Sequence, residues 1–264
     1  LNYPAYTPAG DCCSEFVCDP WEGMCGGHVA FNYDWARGLR TYARIARGFK
    51  AGGFNPSLAA LQGVAVLGPE FIPYQPEYLW NYELGLKGLA MDDSLGYELT
   101  LFYMDRDNAQ LSQSSQQVAF DPNSFVFVTY NGDARSYGLE ASLVWQISDA
   151  LSLHGSLGLL NTRIRDTVNA SQVSPEAVNR DLAHAPPYTL NVGASYRGAS
   201  GWFGRIDLNA IDSFYFDISH NQKSKAYQLV NLRIGKQWDE WTLSLWARNL
   251  FNEHYATRGF YFGN

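Results

Sequence analysis

Residues 80–87 read Trp80-Asn81-Tyr82-Glu83-Leu84-Gly85-Leu86-Lys87. Trp80, Tyr82, Leu84 and Leu86 are apolar, and Asn81, Glu83, Gly85 and Lys87 stand between them. Successive side chains leave a strand on opposite faces, so this period of two predicts a β-strand with one greasy face and one wet face. The same reading recurs near His28–Asp34 and Leu39–Ile45, over Tyr97–Met104, Tyr137–Gln146, Leu151–Leu159 and Tyr188–Arg197, and around Ile206, Val230–Ile234 and Trp241–Arg248. Roughly ten strands are expected, most about ten residues long. No amphipathic helix of useful length is found. The longest uncharged stretch, Ala51–Pro69, holds Gly52, Gly53, Asn55, Pro56, Gly63 and Gly68 and reads as loop.

The connections are more informative than the strands. Short ones lie near Trp35–Gly38, Gly88–Ser94, Ser148–Ala150, Gly198–Gly201 and Lys236–Glu240. Long ones lie at Ala46–Pro76, Asp105–Arg135, Thr162–Pro186 and Ser213–Ala226. Short and long alternate strictly, as they do in a transmembrane barrel with tight turns at one rim and long loops at the other. A tilted strand of about 9–11 residues crosses the hydrocarbon layer. Aromatic side chains stand at the ends of the apolar runs: Trp80, Tyr97, Tyr103, Tyr137, Trp145, Tyr188, Tyr196 and Trp241. These are the expected membrane-interface rings. Mid-strand charges on the opposite face (Glu83, Glu98, Glu140, Arg205, Asp207, Arg233) must meet water or a polar filling.

Composition agrees. The chain of 264 residues carries 15% aromatic and 17% charged side chains, a low charge content against about 25% in ordinary domains. A net charge of -7 argues against nucleic acid as a partner, which would call for a basic face. Neither a starting Met nor a basic-then-apolar leader is seen, so the sequence reads as mature or as a piece. The four cysteines, Cys12, Cys13, Cys18 and Cys25, match neither a zinc nor a thioredoxin spacing. They fit one or two loop disulfides in an oxidising compartment, with a metal site or free thiols as alternatives.

No catalytic constellation stands out. G-x-S-x-G, H-E-x-x-H, a P-loop and G-x-G-x-x-G are all missing from the sequence. The five histidines (His28, His154, His184, His220, His254) sit at no metal-ligand spacing. Glu83 and Glu98 on neighbouring strands are more simply read as wall charges than as a glycosidase pair. The expectation is no enzyme activity, no metal site and no cofactor.

Several segments, in order, resemble one family. Tyr42-Ala43-Arg44-Ile45-Ala46-Arg47-Gly48-Phe49-Lys50-Ala51-Gly52-Gly53-Phe54-Asn55 is similar to the YxxxxRGFKxGGFN segment of TonB-dependent outer-membrane receptors. Pro76-Glu77 followed by Asn81–Lys87 resembles their PExxxxYElGlK strand. Gly138-Leu139-Glu140, Ala185-Pro186-Pro187-Tyr188 and Asn249-Leu250-Phe251-Asn252-Glu253-His254-Tyr255 resemble a GxE strand start, a late-strand entry and the NLFNexY segment near the carboxyl end.

The resemblance implies an all-β, antiparallel up-and-down transmembrane barrel, here about ten strands of a barrel of about 22 with a plugged lumen. It further implies a Gram-negative outer-membrane receptor that imports a scarce ligand with energy delivered by the TonB complex. The GGFN-type segment leans towards a ferric siderophore. In that reading residues 1–25 form a Cys-containing extracellular loop and residues 26–257 the strands, while the plug that contacts TonB and the last strand lie outside this sequence. Outer-membrane lipid, the TonB complex and a small-molecule ligand, an iron chelate among the candidates, are the expected partners. Cations and rings of the loops and rim are the candidate ligand contacts: Arg47, Lys50, Phe54, Tyr74, Arg106, Arg163, Arg165, Tyr215, Lys223 and Arg258. The alternatives are a passive outer-membrane channel and a secreted carbohydrate-binding β protein.

Overall fold

The computed structural model describes residues 26–36, 38–60, 68–116, 125–167 and 177–259. The four cysteines lie outside the described residues. In chain order the elements are β1 (Gly27–Ala36), β2 (Leu39–Lys50), β3 (Gly53–Phe54), α1 (Pro56–Ala60), a 3-10 turn (Pro69–Phe71), β4 (Pro73–Tyr74), β5 (Glu77–Ala90) and β6 (Leu95–Gln116). They continue with β7 (Phe125–Gln146), β8 (Leu151–Thr167), β9 (Tyr188–Arg197), β10 (Trp202–Ile211), β11 (Tyr227–Trp238) and β12 (Trp241–Ala247).

Ten of these strands form one sheet in the order β1-β2-β5-β6-β7-β8-β9-β10-β11-β12, while β3 and β4 pair with each other. Every ladder is antiparallel. Chain neighbours are therefore sheet neighbours, the up-and-down meander that period-two runs and alternating connections predict. Among the described residues the sheet is open, with β1 and β12 as its edges. No described helix is long and apolar enough to cross a membrane, which says nothing of strands.

The short connections are tight because left-handed backbone is placed where the chain reverses. Gly38 has φ 79° and Gly201 φ 83°, values that only glycine adopts without strain. Met91, Asp92 and Asp93 turn the chain between β5 and β6 with φ of 54°, 54° and 66°.

At the other end the strands outrun the expected boundaries. β6 and β7 stay paired as far as Gln116 and Phe125, so most of Asp105–Arg135 is hairpin rather than loop. β8 likewise runs to Thr167, inside the expected Thr162–Pro186 loop, and β2 runs to Lys50. The cause of the misreading is a bulge. Arg106 is opposite Ala134 and Ala109 opposite Gly132, so Asp107 and Asn108 include one extra residue, with Asn108 at φ 54°. Facing switches from even to odd positions on β6 at that point, which erases the period of two in the sequence.

Cross-strand register sorts side chains into two faces. One is apolar, for example Tyr82, Leu84 and Leu86 of β5 against Tyr103, Leu101 and Leu99 of β6. The other is polar, with ion pairs Arg44–Glu83 at 3.7 Å and Lys87–Glu98 at 3.3 Å, and a Tyr42–Thr100 hydroxyl hydrogen bond of 3.0 Å.

The polar face also carries a repeated fit between rings and glycines. Tyr42 is opposite Gly85, Phe102 opposite Gly138, His154 opposite Gly193 and Phe203 opposite Gly235. A Cβ added at any of these glycines would run into the partner ring. Each ring lies across a strand where no side chain competes, which shields bare backbone and pins the register.

The buried apolar cluster lies at the long-connection end. Leu58, Phe71, Ala109, Leu111, Val128, Tyr130, Ala134, Ile164, Ala177 and Ile218 form it. The connections between β2 and β5, β8 and β9, and β10 and β11 fold over the polar-face side of β6, β7 and β8 and are held there by this packing.

Candidate functional site

The roof of loops at that end is anchored by three polar side chains. Asn55, the last residue of the GGFN segment, is 5% exposed and donates from Nδ2 to the Phe71 carbonyl (2.7 Å) and the Thr129 carbonyl (2.6 Å). Its Oδ1 accepts the Thr129 N–H at 2.9 Å, which ties the β3–β4 loop to β7. Asn131 does the same one step along. It donates to the Gln75 carbonyl at 3.0 Å and the Asn108 carbonyl at 2.8 Å, and it accepts the Gln75 N–H at 2.6 Å. The bulge of β6 is thereby locked to the loop.

Arg180 is buried, and its charge is spread over acceptors. Nη1 donates to the carbonyls of Ile218 (2.9 Å) and His220 (2.7 Å), Nη2 donates to Asn221 Oδ1 (2.5 Å), and the guanidinium lies 4.9 Å from the centre of the Tyr215 ring. One side chain thus joins the loop after β8 to the loop after β10. Burying such a charge is tolerable only because hydrogen bonds replace its water. Tyr130 sits beneath, and burial, helped by the nearby Asp217 carboxylate, holds its phenol neutral well above the usual tyrosine range.

The sequence-derived ligand candidates do not form one constellation. Tyr215 and Lys223 meet: the ammonium lies 4.0 Å from the ring centre, and the two residues form a bridge. Phe54 and Tyr74 belong to the small β3–β4 ladder, and the Tyr74 ring lies on Gly53. Arg106 is paired with Glu77 at 3.6 Å on the polar face. Lys50 is exposed opposite Glu77, and Arg258 is exposed beyond β12. Arg47, Arg163 and Arg165 are elsewhere. Register places Arg47 and Arg163 in one row with Trp80, on the apolar-face side of the wall. Arg165 reaches Asp105 of the same row at 2.6 Å.

The rings expected at a membrane interface all lie on the apolar face by register and fall into two groups. Trp80, Tyr103, Tyr137 and Tyr188 stand near the long-connection end, and Tyr97, Trp145, Tyr196 and Trp241 near the short turns. Six to eight strand residues separate the groups, about 20–27 Å along a strand. An outer-membrane barrel's apolar band is about 25 Å tall.

Sequence reading missed Asn131 among the side chains that organise the roof, and took Asn55 only as a letter in a motif. Polar residues that bond to loop carbonyls carry no periodic signal. A cationic cleft on the polar face of β10, β11 and β12 also escaped it. Arg205, Arg233, Arg248, Asn231, Ser244 and Trp246 line about 450 Å³ there. Asp207 at its edge is held by Arg205 at 2.7 Å and by His154 at 2.9 Å, so it offsets little of the remaining positive charge.

Comparison with known proteins agrees with this geometry. The pesticin receptor of Yersinia pestis is 24% identical over 249 residues, covering 90% of this chain and 33% of that protein. The metal-pseudopaline receptor CntO of Pseudomonas aeruginosa is 21% identical over 193 residues, 71% of this chain and 25% of that protein. Among solved structures, the ferric yersiniabactin uptake receptor FyuA of Yersinia pestis superposes with a TM-score of 0.69 at 21% identity, covering 89% of this chain and 33% of that one. The siderophore receptor PiuA of Acinetobacter baumannii gives 0.68 at 13%, with 89% and 33% covered. The chain spans about a third of the length of these first relatives. The family model described as TonB dependent receptor-like, beta-barrel matches residues 27–250. With ten strands meandering in register across that whole span, the chain belongs to the TonB-dependent receptor β-barrel family.

Proposed function

We propose that this chain is the wall and loop roof of an outer-membrane receptor that takes up a scarce ligand, a ferric siderophore first among the classes, with energy supplied through TonB. The observation that carries the reading is the two-faced meander whose described residues gather a buried cluster of loop and strand side chains at one rim. An apolar face between two groups of rings is a surface for lipid. The polar face with its arginine-lined cleft is a surface for a hydrated, anionic cargo or a polar filling. Related proteins are named as receptors for ferric yersiniabactin and metal-pseudopaline, and one fold relative as a copper transporter. Those names favour chelated metal as cargo and a receptor rather than an enzyme.

The test is uptake. Cells with the gene deleted and restored are given radiolabelled iron as a panel of ferric chelates, with and without a functional TonB. Accumulation that needs both the gene and TonB is the expected result. Uptake of small solutes that follows their gradient and ignores TonB would replace this reading with a passive channel.

A further inference from the structure

The connection from β10 to β11 is a small hairpin with bonds of its own. Tyr215 and Lys223 form an antiparallel bridge, the Ser224 N–H donates to the Phe214 carbonyl at 2.9 Å, and the Phe216 N–H donates to the Gln222 carbonyl at 3.2 Å. The Ser224 hydroxyl accepts the Phe214 N–H at 3.0 Å. Asp217 closes the tip by accepting the Ser219 N–H and hydroxyl, both at 2.8 Å. A segment bonded in this way keeps its shape while its two ends absorb a rotation. The ends are Asp212–Ser213 and Lys225–Ala226, just past the last paired residues of β10 and β11, Ile211 and Tyr227.

The hairpin does not stand upright over its own strands. Its tip residue Ile218 is 2% exposed and belongs to the buried cluster that includes Val128 and Tyr130 of β7 and Ile164 of β8. Asp217 lies close enough to Tyr130 for its charge to act on the phenol. β10 and β7 are three places apart in the sheet, so the hairpin reaches roughly 14 Å sideways across the polar-face side. The cleft of Arg205, Arg233 and Arg248 opens on that same face. Arg205 lies about 20 Å down β10 from Ile211, where the hairpin leaves the strand.

The loop between β8 and β9 holds the hairpin in place. Arg180 grips the tip through the carbonyls of Ile218 and His220 and through Asn221 Oδ1. His184, at φ 56°, donates its N–H to the Tyr215 carbonyl at 2.9 Å, and its ring centre lies 5.5 Å from that of Phe214. This loop is itself tied to β8. The Asn179 N–H donates to the Ile164 carbonyl at 2.8 Å, the Ile164 N–H to the Arg180 carbonyl at 2.9 Å, and the Leu182 N–H to the Thr162 hydroxyl at 3.0 Å.

We propose that residues 212–226 are a strap across the mouth of the polar face, latched by Arg180 and His184, which swings about its two ends to let cargo down to the arginine cleft. This rests on the reading of that face as the cargo route. A guanidinium clamped on neutral carbonyls suits a latch, because water or a passing anion replaces each bond when the strap lifts.

The first experiment is hydrogen–deuterium exchange on the full-length protein in detergent. Amides of residues 213–226 should exchange as one unit, ahead of residues 177–187. Ile218→Ser with Asn221→Ala weakens the latch from the strap side and leaves Arg180 in place. It should speed that unit at least about tenfold, while residues 177–187 and the strands keep their rates. Exchange of both segments together, at one rate in both proteins, overturns the strap. The second experiment locks it. In living cells, His184→Cys with Phe214→Cys is bridged by a bis-methanethiosulfonate reagent and later released with dithiothreitol, with the radiolabelled ferric chelates of the uptake test as probe. Bridging should abolish uptake and reduction should restore it. Each single-cysteine variant, the control for the native cysteines, should ignore both reagents. Undiminished uptake by the bridged protein overturns the gate. Wild-type cells that take up no chelate would overturn the uptake reading instead, and the exchange rates would still decide whether the strap moves.

Discussion

The Asn55 side chain makes three hydrogen bonds, and each satisfies a main-chain group of the loop or of β7. Replacing it with Ala would leave two carbonyls and one N–H without partners in a buried place. The expected cost is about 1–3 kcal/mol. Limited proteolysis of Asn55→Ala should show earlier cleavage in the loop after β3 with the strands still protected. Arg180→Met should release both later loops together, because one guanidinium joins them. Its cost should be about 3 kcal/mol in a thermal melt followed by loop fluorescence. Tyr130 gives a pH signature. Burial raises the folded-state ionisation of its phenol above the unfolded value of about 10, so the folded form holds that proton more tightly. The associated stability is complete below about pH 10 and is lost as the pH climbs towards the folded-state value. A spectrophotometric titration should show one tyrosine ionising after the others, and Tyr130→Phe should remove that late step. None of these roles could be read from the sequence, since an Asn, an Arg or a Tyr in a loop shows its partners only once the chain has folded back over the sheet.

The strands were legible wherever each had one apolar face and one polar face. Trp80–Lys87 announced β5 because its rule holds at every position. Above Arg106 the rule lapses. The hairpin of β6 and β7 continues there with Gln110, Ser112, Thr129 and Asn131 in place of the apolar run, and the bulge at Asp107–Asn108 shifts the facing from even to odd positions. Backbone pairing needs no hydrophobic pattern, so a window that looks for one stops early. The bulge is testable in its own right. Deleting Asn108 should straighten β6 with Ala109, Leu111 and Gln113 still facing the cluster, and should remove the carbonyl that Asn131 binds, so that protease cuts the β3–β4 loop earlier. The ring-and-glycine pairs make a second test at this scale. Gly85→Val should displace the Tyr42 ring, break its bond to Thr100 and slow assembly of the β2–β5 pair, seen as a delayed shift to the heat-modifiable folded band on a gel. Tyr42→Ala should cost less, since it removes the ring without forcing a collision.

For the whole molecule, the alternation of connection lengths decided the architecture, and the order of strands in the sheet follows it without exception. The face on which each cation stands was out of reach of sequence reading. Arg47 was counted with the loop and belongs to β2, and Arg163 and Arg165 were counted with a loop whose first residues, as far as Thr167, are strand. The candidate site therefore redistributes at this scale. Cargo contact is expected from the roof and from the cleft of Arg205, Arg233 and Arg248 rather than from those three. Arg233→Gln with Arg248→Gln should lower the rate of uptake of an anionic ferric chelate several-fold, while a neutral one should pass as before. Equal effects on both chelates would remove charge from the account.

The position of the buried cluster has one more consequence. A membrane wall is ordinarily steadied by hydrocarbon, yet among the described residues the water-squeezed knot sits at one rim, where the loops meet the far ends of β6, β7 and β8. Detergent extraction should consequently leave the summit of the molecule standing. Antibodies raised against that summit on living cells should go on binding after the bilayer has been stripped away.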